Sequence, residues 1–146
     1  MERFSTKLTV GLLLIKNNKV LLMRRCNTGY MDGMYSLVAG HVESGESLKQ
    51  AIVREAFEEI GINISLNKVD YVTMIRDGED NDYINFFLIA HEYSGIPSIK
   101  EINKCDDLGW FDINNLPSNM IPADRRAINN YFKKINFDEF NFSKYI

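Results

Sequence analysis

Apolar residues in this chain follow two spacings, one of strands and one of helices. Residues 7–16 (KLTVGLLLIK) and 19–23 (KVLLM) are short apolar runs, partly β-branched, on either side of Asn17-Asn18. That pattern predicts a β-hairpin with an Asn-rich turn. Residues 69–75 and 83–90 repeat the arrangement around the polar stretch 76–82, and an apolar-aromatic strand is expected over 108–111. Helical spacing occurs twice. Over residues 47–60, Leu48, Ile52, Val53, Ala56, Phe57 and Ile60 form a stripe able to pack on a sheet, with Ser44 or Ser47 to cap the start and Gly61 to end it. Over 123–134 the inward face is expected to be Ile128, Tyr131, Phe132 and Ile135. Mixed strands with two main helices place the chain in the α/β (α+β) class, as an α/β/α sandwich with a mixed β-sheet between the two helices.

The first helix carries a second pattern. Glu55, Glu58 and Glu59 stand at i, i+3 and i+4, so three carboxylates share one face of its last turns. Like charges at this spacing cost a few tenths of a kcal/mol per pair, and acids at a helix C-terminus oppose its dipole. Arg54 lies four residues before Glu58, but one cation cannot balance the cluster. Either the face is simply solvated, or a divalent ion neutralises it. Clustered oxygen ligands suit Mg²⁺ or Mn²⁺.

The wider spacing decides between these. Gly40, Glu46, Arg54-Glu55, Glu58-Glu59 and Gly61-Ile62 fall at the fixed positions of the Nudix box, with Ala56 and Ile62 at its aliphatic positions. The chain therefore resembles a Nudix hydrolase of the MutT-like type, strongly over residues 40–62 and weakly elsewhere. The resemblance implies a loop-helix-loop that binds divalent metal and hydrolyses a diphosphate linkage in a nucleoside diphosphate derivative. It implies Glu55, Glu58 and Glu59 as metal ligands, the Gly40 carbonyl at the same site, and Arg54 and Glu46 orienting the cluster by salt bridging. A further catalytic acid is expected in the connection 91–104, with Glu101 first and Asp106 and Asp107 behind it. Where many relatives have Leu-Pro-Gly-Gly, this chain has Leu37-Val38-Ala39-Gly40, so substrate preference does not transfer with the box.

Candidate substrate contacts lie around the box. Arg24 and Arg25 emerge at a strand end and could meet phosphate, or could be a solvated rim. Tyr35, just before the box, and His41, just after Gly40, are further candidates. The acidic turn 76–82 lacks the ligand order of an EF-hand, although Glu79 or Asp82 could reach bound phosphates. Because clustered acids hold protons until a cation displaces them, activity is expected to rise from mildly acidic to alkaline pH.

Composition narrows the partners. The 146 residues, 45% hydrophobic, suffice for a single domain over 1–146, and a net charge of −3 gives no general attraction for duplex nucleic acid or acidic membranes. No apolar run is long enough to span a membrane, and Cys26 and Cys105 lack metal-ligand spacing, so a cytoplasmic protein with reduced thiols is expected. The aromatic-polar tail 137–146, with Phe137, Phe140, Phe142 and Tyr145, either covers a core edge or forms the arm of a homodimer. The expected substrate is a small-molecule nucleotide. A nucleoside triphosphate, including an oxidised or noncanonical one, leads; ADP-ribose or a sugar nucleotide is the alternative. A nucleotide-sensing module without turnover, or a pyrophosphohydrolase of RNA 5′ ends, are the other readings.

Overall fold

The computed structural model describes residues 1–79 and 83–143. Its strands and helices run β1 (Leu8–Leu13), β2 (Ile15–Lys16), β3 (Lys19–Arg25), β4 (Tyr35–Ser36), β5 (Val38–His41), α1 (Leu48–Ile60), β6 (Val69–Asp77), β7 (Ile84–Ala90), β8 (Cys105–Asp112), α2 (Pro122–Lys133) and β9 (Phe137–Phe140). Asn17 and Asn18 both have positive φ, 51° and 61°, as a two-residue hairpin turn requires. The hairpin they make is short, and here the expected first strand is corrected. Only Ile15 and Lys16 pair with β3, whereas β1 lies between β5, antiparallel, and β7, parallel. The chain changes sheets at Leu14. The reason is burial: Val10, Leu12 and Leu14 enter one core and Leu13 the other, so β1 is apolar on both faces and belongs in the centre of a sheet.

The mixed sheet has the order β5-β1-β7-β6-β9, and a second, antiparallel sheet forms around β3, which pairs with β2, β4 and β8. The helices cover opposite faces of the mixed sheet. Ala51, Ile52, Ala56 and Ile60 of α1 pack with Val10, Leu12 and Leu88, while Ala123, Ala127 and Ile128 of α2 pack with Leu13, Ile75 and Phe87. Strand β3 serves both layers, sending Leu21 and Met23 to the first core and Val20 and Leu22 to the second. The α/β/α sandwich is thus present, with a second sheet closing its end.

Helix α1 starts at Ser47, not Ser44. The Ser47 hydroxyl accepts from Gln50 N (3.0 Å) and the Gln50 side chain accepts from Ser47 N (2.9 Å), which completes a capping box. Gly61 ends it at φ 73°, a left-handed position that favours glycine. Three residues expected inside are outside: Phe57, Phe132 and Ile135 are 58%, 48% and 40% exposed. At roughly 100° per residue, Ile52, Ala56, Glu59 and Ile60 centre the buried face of α1, and Phe57 falls well round from it. The same geometry turns Phe132 away on α2, and Ile135 lies beyond the helix, whose C-cap is Lys134.

The tail covers its own fold over 137–140, where β9 pairs in parallel with β6. Arg126 of α2 fastens it by a two-pronged ion pair to Asp138 (2.9 and 2.8 Å). Of the acidic turn, Glu79 lies just after Asp77, whose carboxylate accepts from Glu79 N (3.0 Å); Asp82, like Tyr145 of the tail, lies outside the described residues. Cys26 and Cys105 are free thiols. No helix among the described residues is long and apolar enough to cross a membrane.

Candidate active site

The site is built where α1 faces β5. Arg54 is its hub: Nε and Nη2 grip the two oxygens of Glu46 (2.7 and 3.0 Å), Nη1 reaches Glu55 Oε1 (2.7 Å) and Glu58 Oε2 (3.3 Å), and Nη2 also donates to the His41 carbonyl (3.0 Å). One guanidinium therefore ties the end of β5 and Glu46 of the following loop to Glu55 and Glu58 of α1. Its fixed fork suits this, since its donors lie in one plane. Hydrogen bonding to Arg54 holds the Glu46 carboxyl down at about 2, and Arg54 itself is raised by the same contacts.

Glu55 and Glu59 differ from Glu46. Burial pushes both carboxyl groups up, Glu59 well above the usual carboxylate value. Arg54 pulls Glu55 back down; for Glu59 the neighbouring charges of Glu55 and Glu101 add to the rise, against a hydrogen bond from Ala39 N to Oε2 (3.3 Å). Two acids that cannot both ionise comfortably, one turn apart, are the electrostatic core of the site. Glu58 is more open, its side chain 49% exposed.

Gly40 shows why glycine stands there. A Cβ on it would overlap the Glu55 carboxyl group, so that side chain occupies the space a larger residue would fill. The donor set of Glu55, Glu58, Glu59 and the Gly40 carbonyl is all oxygen, which fits Mg²⁺ or Mn²⁺. Among the described residues no three acid, histidine or cysteine side chains already stand around one point as ligands. The cause is visible: Glu55 is turned onto Arg54 and Glu59 onto Ala39 N. A cation bound here would have to draw them together and displace the protons that the raised carboxyl groups hold.

These residues line a cleft of about 600 Å³. Glu55, Glu58, Glu59, Glu101, Gly40, His41, Arg25 and Arg54 of the sequence candidates meet in it. Arg25 donates to the Tyr30 carbonyl (2.8 Å) and Thr28 Oγ1 (3.2 Å), with its guanidinium over the Tyr30 ring. Glu101 stands 3.7 Å from Lys104, and both line the cleft. The His41 ring meets Tyr83 edge-on at 5.7 Å.

Other candidates are placed elsewhere. Glu46 sits behind Arg54, outside the lining. Arg24 alternates away from Arg25 along β3 and pairs with Asp106 (2.7 Å). Tyr35 is buried, edge-on to Phe111 at 4.9 Å, and its hydroxyl donates to Asp107. Asp106 and Asp107 are thus engaged outside the cleft lining. Sequence reasoning missed Ser36, Asp124, Tyr30 and Lys104, all of which line it. Asp124, an acid in the first turn of a helix, offered a weak signal; Ser36 offered none.

Known proteins resemble this chain in sequence and in fold. An NAD-capped RNA hydrolase NudC of Stutzerimonas stutzeri is 32% identical over 119 residues, 82% of this chain and 40% of that protein. An ADP-ribose pyrophosphatase of Methanocaldococcus jannaschii is 33% identical over 106 residues, 70% of this chain and 59% of that one. The chain thus spans about 40% to 60% of the length of these curated relatives. In fold it matches a MutT NUDIX hydrolase from Burkholderia pseudomallei with a TM-score of 0.80 at 24% identity, covering 87% of this chain and 98% of that one. The NUDIX domain family matches residues 5–131, and with the relatives at 30% identity or more this shows that the chain belongs to the NUDIX family.

Proposed function

We propose that this chain is a divalent-metal-dependent pyrophosphohydrolase that cleaves a diphosphate linkage in a nucleoside diphosphate derivative, with a nucleoside triphosphate as the leading substrate. The observation that carries this reading is the pair Glu55, buried against Gly40, and Glu59, bonded to Ala39 N, both lining the cleft and both raised by desolvation. Buried carboxyl groups in excess of their cations are costly unless a cation compensates them.

In this reading Glu55, Glu58, Glu59 and the Gly40 carbonyl hold Mg²⁺ or Mn²⁺. The ion supplies neutralisation of the diphosphate oxygens and a more acidic water. Arg54, set by Glu46, keeps Glu55 and Glu58 aimed at one place. Glu101, which lines the same cleft, takes the proton of the attacking water as its oxygen bonds to phosphorus and the bridging P–O bond breaks. Arg25 and Lys104 receive phosphate oxygens, which favours a highly charged triphosphate. His41 contacts substrate at the cleft wall. Arg24 and Tyr35, paired with Asp106 and Asp107, act indirectly by holding that wall.

A second reading, hydrolysis of an ADP-linked diphosphate, draws support from the names of the two relatives, an NAD-capped RNA hydrolase and an ADP-ribose pyrophosphatase. The test is phosphate, pyrophosphate and nucleoside monophosphate release with Mg²⁺ from nucleoside triphosphates, oxidised nucleotides, ADP-ribose and NAD. Faster release from a triphosphate supports the leading substrate; faster release from ADP-ribose or NAD replaces it. Tight metal-dependent binding without release favours a sensor.

A further inference from the structure

Glu101 is carried by a segment that lies across the end of α1. Asn63 and Ser94 exchange two backbone hydrogen bonds (3.0 and 2.9 Å), and from there residues 94–100 pass over the last turn of the helix. Ser98 N donates to Ile60 O (3.0 Å) and Lys100 N to Glu59 O (3.1 Å), so this strap satisfies two of the carbonyls that a helix C-terminus leaves without donors of its own. On the other side, the Glu101 carbonyl accepts from Lys104 N (2.9 Å) and Cys105 N (3.1 Å), where β8 begins. Glu101 is therefore held from both directions: the residue before it is bonded to the backbone of Glu59, and its own carbonyl to the start of β8.

Gly95 makes that passage possible. It stands at φ 94°, a conformation that side chains disfavour, and a Cβ on it would lie 3.3 Å from Gly61 O and 3.7 Å from Ile62 Cα. Backbone meets backbone there, and neither side can rotate away as a flexible side chain would. The Lys100 side chain fills the space over Gly61, its Cε standing where a Cβ on that glycine would go. A methyl group at residue 95 thus has to lift the strap, and a shift at Lys100 passes to Glu101 one residue on. Glu55, Glu58 and Glu59 belong to α1 itself and stay behind. We infer that Gly95 is a positioning residue for the reaction: by letting residues 94–100 lie directly on the end of α1, it fixes the Glu101 carboxylate relative to the carboxylates of Glu55, Glu58 and Glu59. The inference rests on the reading above, in which Glu101 takes the proton of the attacking water. A base must stand within hydrogen-bond reach of that water, and an error of about 1 Å costs on the order of 100-fold.

The test is a double-mutant cycle on the full chain, with Gly95→Ala, Glu101→Gln and the two combined. In the metal-free protein, hydrogen exchange of the Ser98 and Lys100 amides should be at least about tenfold faster in Gly95→Ala than in the wild type, while the rise in melting temperature on adding Mg²⁺ is retained. With Mg²⁺ and the nucleotide that the wild type turns over fastest, Gly95→Ala should lower kcat about 10- to 100-fold and leave KM within about twofold. Glu101→Gln should lower kcat about 100-fold or more. The combined variant should be no slower than Glu101→Gln alone, within about twofold, because a base already removed cannot be misplaced. A loop that merely stabilised the fold would slow both backgrounds by the same factor. If Gly95→Ala does not fold, Ser98→Pro takes its place in the cycle, since it removes the N–H bonded to Ile60 O at an exposed position. The inference alone is overturned if Glu101→Gln is slow and the second substitution slows it as much as it slows the wild type, or if Gly95→Ala keeps wild-type kcat. Full turnover in Glu101→Gln would instead sink the assignment of the base, and no turnover in the wild type the hydrolase reading, each taking this inference with it.

Discussion

The Glu55 carboxyl group lies where a Cβ on Gly40 would have to go. The two residues are separated by a loop and two turns of helix, yet each sets a limit on the other. A Gly40→Ala variant should turn Glu55 aside and break its 2.7 Å contact with Arg54. Turnover should fall about 100-fold or more, the usual result of an ångström-scale misplacement, while melting temperature changes by only a few degrees. Steady-state kinetics beside a thermal melt checks this.

Arg54→Lys should be nearly as damaging as removal, although charge is conserved. Lysine cannot hold Glu46 by two bonds while reaching Glu55 and Glu58, because its ammonium is a point charge. The expected effect is a loss of about 1–3 kcal/mol in chemical denaturation together with a large fall in kcat.

Glu46 makes a prediction in acid. Its folded carboxyl is held at about 2, below the ordinary 4.5, so its contribution is complete above about 4.5 and is lost as pH falls toward 2. Glu46→Gln should remove part of the stability loss in that window. Denaturation curves of the two proteins should converge as the pH drops, and parallel curves would refute the assignment.

Glu55 and Glu59 carry the opposite sign. Their folded carboxyl groups are raised above 4.5, so the unfolded chain releases these protons first and metal-free stability declines as pH rises from about 4.5. Mg²⁺ should offset the decline. The rise in melting temperature on adding Mg²⁺ should grow from pH 5 to pH 8 and be largely abolished in Glu59→Gln, with saturating ion worth about 2.7 kcal/mol at 100 times its Kd.

The two neighbouring arginines should separate cleanly. Arg25 lines the cleft and Arg24 pairs with Asp106 outside it. Arg25→Ala should raise KM about tenfold, and Arg24→Ala should stay within about twofold of the wild type. Equal effects in the two variants would contradict the placement.

How far the sequence could be read depends on what each residue's neighbours are. The box was legible because fixed spacing on one helix places Glu55, Glu58 and Glu59 without any tertiary knowledge, and Ser47, Gln50 and Gly61 mark its ends locally. The hairpin turn was legible for the same reason, since Asn17-Asn18 alone dictates it. The switch of β1 out of that hairpin was not, because an apolar run looks alike beside any partner strand. Phe57 stands outside because buried Glu55 shares the inward face of α1 with Ala51, Ile52, Ala56 and Ile60, which a hydrophobic pattern does not show. Arg24 and Arg25 could not be told apart until the pleat of β3 was paired with β8. Ser36 and Asp124 meet only through the stitching of β4 to the start of α2, 88 residues apart in sequence.

The measurement that bears most directly on the proposed activity is metal-dependent turnover of the nucleotide panel by the wild type and by Glu58→Gln, each checked for folding. Glu58 is half-exposed and can lose its charge with little effect on the core. The account predicts Mg²⁺-dependent hydrolysis by the wild type and a fall of about 1,000-fold in kcat for the variant, with the fold and nucleotide binding retained. Turnover undiminished in Glu58→Gln, or a folded wild type that binds nucleotide with Mg²⁺ and cleaves nothing, would contradict it.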